Sequence, residues 1–210
     1  MGNSTEEGSA LTTITATVRP TTASGAGVAA ANLHLIGQGI ELLARIDPAV
    51  YNAPPPVPMG TIGGHFRHCL EFFERFLAGF ESGRIDYDAR ERDPRVEVDP
   101  LHARDRLAAV AERLRGLPEG AADRALEAVH DRDGDGSSFD EAPAGRSSVR
   151  RELDFLASHT THHYALIGAL MRLQGAEPGA DFGVAASTLA HRRRGGLVGG
   201  GLFQPPSPRE

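Results

Sequence analysis

The sequence predicts an all-α protein: a four-helix bundle with a long irregular crossover before its last long helix, and flexible tails at both ends. Four segments repeat apolar residues at helical spacing, and residues that start or stop helices bound them. The connection of roughly thirty residues before the fourth helix gives the bundle its crossover.

In the first segment Leu33, Ile36, Ile40 and Leu43 follow helical spacing, and Pro48 stops the run after Asp47. The second, "TIGGHFRHCLEFFERFLAGF", gathers Phe66, Cys69, Leu70, Phe73, Phe76, Leu77 and Phe80 on one side, with Arg67, Glu71, Glu74 and Arg75 on the other. The third opens with Asp99 as cap and Pro100 at the first helical position, lines up Leu107, Val110, Ala111 and Leu114, and ends before Pro118. The fourth begins at Ser147 or Ser148 and runs to Gly175, on the order of 40 Å at 1.5 Å per residue. The polar crossover has room for a hairpin or a short helix.

Residues 1–28 and 191–210 lack periodicity and read as flexible tails, which leaves 29–190 to fold as one domain. The chain has 210 residues, 40% of them hydrophobic and 24% charged, enough apolar surface for a core. Every basic residue is arginine, and the net charge of −6 argues against nucleic acid or an anionic membrane as partner. A single cysteine, Cys69, excludes an intramolecular disulfide. With no secretory signal, myristoylation pattern or membrane-length apolar run, a cytoplasmic location is expected.

The chemistry concentrates in "SHTTHHYALIGALMRLQG". On a helix, His159 and His163 fall within the apolar face formed by Leu153, Leu156, Leu166, Ile167 and Leu170, and His162 falls at its edge. Two buried imidazoles one turn apart need partners for their nitrogens, and a divalent ion supplies them. The glutamate of H-E-x-x-H is absent, since Thr160 stands there. A third ligand has to come from another helix, and "GGHFRHCLEFF" offers His65 and His68. Face counting favours His65, which lies nearer the apolar centre, over His68 at its border.

"TIGGHFRHCLEFFERFL" followed by "ELDFLASHTTHHYALIGALMRLQG" resembles the DinB/YfiT-like family over about residues 29 to 190. The resemblance implies a bundle that binds a divalent metal through one histidine of the second helix and an H-x-x-x-H of a later one. Carried onto this chain, those are His68, His159 and His163, with His65 standing where an ordinary apolar residue is usual. A border position also leaves an ion reachable from solvent, so His68 is preferred, with His65 and His162 as alternative or outer ligands and Glu152 as an outer partner of His159. The tryptophan often found near the start of the second helix in that family is absent.

Imidazole suits zinc, nickel, copper and iron, and availability decides among them; zinc or nickel is expected, with iron or copper as alternatives. Three neutral imidazoles leave an open position, the catalytic kind of site. Two functions follow: a metal-dependent hydrolase or thiol-type S-transferase acting on a small molecule, or a non-catalytic metal-binding or stress-related interaction protein. Either is expected to be a homodimer in the cytoplasm. Among other features, Asp131 to Ala142 imitates an EF-hand loop but has Ala142 where the bidentate glutamate belongs, and reads as a solvated turn. Cys69 reads as a buried, inert thiol. By the same resemblance, Ile85–Pro94 and Asp181–Ala185 are candidates for the rim of a pocket.

Overall fold

The structure, a computed structural model, describes residues 25–89, 91–129 and 144–194. Its helices are α1 (Gly25–Val28), α2 (Ala30–Leu43), α3 (Pro48–Tyr51), α4 (Ile62–Gly79), α5 (Pro94–Val98), α6 (Pro100–Arg115), α7 (Val149–Leu173) and α8 (Ala186–Arg193). Three strands join them: β1 (Arg84–Asp86), β2 (Ala125–Val129) and β3 (Gly145–Ser148).

The boundaries follow local chemistry. Asp47 caps α3 ahead of Pro48, and the Thr61 hydroxyl accepts the Gly64 N–H at the start of α4. Asp99 accepts from Leu101 and His102 at the start of α6. Ser148, the second of the two expected caps, accepts the Arg151 N–H at the start of α7. Each satisfies an amide that a helix start leaves without a partner. Beyond α7, Gly175 takes φ 76°, the left-handed turn that ends a helix.

The long helices touch in a ring, α2 against α6, α6 against α4, α4 against α7, and α7 against α2. Ile36, Phe66, Phe73, Phe76, Leu156 and Ile167 fill the space between them, each with no solvent exposure. Gly63 brings α5 onto α4: a Cβ there would stand 2.0 Å from the Glu97 carbonyl oxygen. The Tyr51 hydroxyl donates to the Val96 carbonyl at 2.6 Å and ties α5 to α3.

The all-α expectation needs correction, because the chain is mostly helical but carries a three-stranded sheet in the order β1-β2-β3. β1 runs parallel to β2 with Ile85 opposite Ala128. That pairing requires a crossover, which α5 and α6 provide. β2 and β3 run antiparallel with Ala125 opposite Ser148, and a 3-10 turn at Ala121–Asp123 precedes β2, so the crossover holds both the hairpin pairing and a short helix. The sheet closes over the end of α4, where a Cβ on Gly79 would meet the Arg84 carbonyl oxygen at 2.5 Å. The helical turn Gly25–Val28 and the last residues of α8 lie within segments expected as tails. The EF-hand-like segment lies outside the described residues. Among the described residues no helix is long and apolar enough to cross a membrane.

Candidate metal centre

Thr61 fixes the first turn of α4, and from there helical spacing places His65, His68 and Phe72 along the side that meets α7. On α7, His159 and His163 occupy successive turns of the side that meets α4. The rings converge. Centroids are 4.9 Å apart for His68 and His159, 4.6 Å for His68 and His163, and 4.5 Å for His159 and His163. One ligand nitrogen from each of the three lies within 4.8 Å of the others. All three residues are partly exposed.

These residues fit a divalent ion. His68, His159 and His163 would hold such an ion, each offering one nitrogen already within 4.8 Å of the other two. Ligation also needs neutral rings. His163 meets that condition, because burial first, and then the neighbouring His159, His68, His65 and His162, lower its pKa to about 3.

A model described as the DinB superfamily matches residues 40–167, more than half of the chain and a span holding both histidine clusters. The chain belongs to the DinB superfamily. No curated protein and no solved structure matches it.

Within this DinB-superfamily chain, His65 and His162 stand beside the cluster while His34 and His102 stand apart from it. His65 is the more buried of the α4 pair at 8% exposure, as face counting expects. It joins the cluster through a 2.9 Å hydrogen bond between its Nδ1 and Nδ1 of His163. Burial lowers its pKa, against the Met59 carbonyl, which favours a proton on the ring. His162 is exposed, with its ring 5.1 Å from that of His163. His34 pairs with Gln38 and His102 with Asp93, away from the cluster.

Glu152 is fully buried, and it accepts hydrogen bonds from Tyr87 at 2.9 Å, from Arg151 at 2.9 Å and from the Ser147 hydroxyl. Its connection to His159 therefore runs through aromatic rings. Tyr87 stacks on Phe72 at 5.3 Å and Phe72 stacks on His159 at 4.4 Å, while Phe155 packs 5.6 Å from His159. Neither phenylalanine stands out in the apolar pattern. The signal was spacing: Phe72 follows His68 by four residues and Phe155 precedes His159 by four, the separation at which helical side chains meet.

Of the two candidate rim segments, Ile85–Pro94 supplies Tyr87 to this aromatic wall. Phe182 of the other stacks on Tyr164 at 4.7 Å, and Gly183 bonds to Gln38. Asp181–Ala185 thus closes the α2 side of α7. Cys69 is 1% exposed, and burial pushes its thiol pKa up, so it is held as the neutral thiol.

Proposed function

We propose that this chain is a metal-dependent enzyme on a four-helix bundle, with His68, His159 and His163 as ligands of one divalent ion. The observation that carries the reading is the convergence of three imidazoles from α4 and α7 within 4.8 Å, on side chains that solvent still reaches. Zinc or nickel is the expected ion ahead of iron or copper, and the substrate is a small molecule. Held by neutral imidazoles, such an ion keeps its full charge and supplies Lewis-acid polarisation of a water, thiol or carbonyl. This chemistry suits a hydrolase or a thiol-type S-transferase.

The chain's own residues do the rest. Phe72 and Phe155 shield one side of His159 and restrict water there. His162, exposed beside His163, stands at the edge of the cluster as an outer or alternative ligand. The proposal includes a homodimer working in the cytoplasm, with neither nucleic acid nor membrane as partner.

One observation favours the non-catalytic reading, a metal-binding or stress-related interaction protein. Glu152, the carboxylate closest to His159 on the same face of α7, is buried and engaged by three donors, and so is unavailable as a base. Elemental analysis of as-purified protein beside His68→Ala, His65→Ala and His159→Ala tests the site. One equivalent of metal that is lost in His68→Ala and His159→Ala supports it; metal-free wild type rules it out. Ester hydrolysis and thiol-addition assays on the loaded protein then separate the enzyme from the interaction protein.

A further inference from the structure

His65 occupies a buried position on an apolar helix face. A polar ring in such a place is costly unless its nitrogens are used. Its Nδ1 meets Nδ1 of His163 at 2.9 Å. Its Nε2 is buried against the Met59–Gly60 backbone, where a Cβ on Gly60 would stand 3.7 Å away.

Two neutral imidazoles meeting nitrogen to nitrogen share one proton, so one ring donates and the other accepts. If His65 donated, His163 would carry its own proton on Nε2 and would have no lone pair to offer an ion. If His163 donates, its Nε2 is left unprotonated. Ligand duty selects between the two: only with His163 donating from Nδ1 does its Nε2 keep a lone pair for an ion. His65 then accepts at Nδ1 and holds its proton on Nε2, the buried nitrogen beside Gly60.

We propose that His65 is a positioning residue for His163, keeping the His163 proton on Nδ1 and so leaving its Nε2 lone pair for an ion shared with His68 and His159. Metal-ligating histidines commonly depend on such a partner at the far nitrogen. The inference rests on the three-histidine ligand set, but its first test needs no metal.

Long-range proton–nitrogen correlation spectra of metal-free protein, carrying nitrogen-15 histidine, read the tautomer of each ring. Wild type is expected to show His163 with its proton on Nδ1, and His65→Leu to shift it toward the Nε2 form. Leucine suits the apolar face, and thermal melts confirm that the variant folds. Cobalt(II) titration followed by visible absorption supplies the second readout. His65→Leu should weaken binding by about 10–100-fold, the usual loss when such a partner is removed. His65→Gln, whose amide oxygen can accept from His163, should recover part of it. A wild-type His163 protonated on Nε2, or a His65→Leu protein unchanged in both tautomer and cobalt affinity, would overturn the proposal. If wild type takes up no cobalt while its tautomer still depends on His65, the ligand-set reading falls and the positioning role stands.

Discussion

At the scale of single residues, the two α4 histidines differ in what surrounds them more than in where they point. Periodicity locates a side chain around a helix axis but says nothing of how far it reaches or which nitrogen it presents. Hence His65 read as the better ligand by face counting, whereas its ring lies against His163 and it is His68 that meets both α7 histidines. The charged pair at Asp93 gives a residue-scale prediction. His102 hydrogen-bonds it at 2.8 Å, and with the Arg95 N–H and Arg106 this holds its carboxyl below the usual range. A depressed carboxylate contributes stability above its unfolded pKa and loses it as pH falls through the folded value. Asp93→Asn, which keeps the cap on α5, should cost about 0.2–1 kcal/mol in urea unfolding at pH 7. The difference should vanish in acid below the carboxylate range.

Among the elements, the long helices were legible because caps and apolar stripes coincide, as at Asp99–Pro100 and in the Phe66–Phe73–Phe76 run. The strands were not. β1 has three residues, and β2 reads "ALEAV", alanine, leucine and glutamate that favour helix in isolation. Only pairing with β1 and β3 makes β2 a strand, an instance of tertiary context overriding propensity. α4 is the element on which the site depends. Gly63→Ala would drive a Cβ into the α5 backbone, and denaturant melts should show a loss of about 3 kcal/mol or more, with metal uptake weakened as α4 moves. Thr61→Ala removes the cap alone and should cost about 1 kcal/mol.

Over the whole molecule, the proposed ligands come from helices separated by the entire sheet and by α5 and α6 in sequence. An ion bridging α4 and α7 therefore binds the folded chain and not the unfolded one. At free metal one hundred times its dissociation constant the gain is about 2.7 kcal/mol. Calorimetry should show the melting temperature falling on chelation in wild type and not in His68→Ala; an equal fall in both would place the stabilising ion elsewhere.

The lone thiol of Cys69 follows directly on His68 and lies in the core. A disulfide reagent reaches it only when the chain opens, so its labelling rate is a built-in clock for that event. Saturating the centre with a divalent ion should slow the clock, and replacing His68 with alanine should return it to its free-running pace.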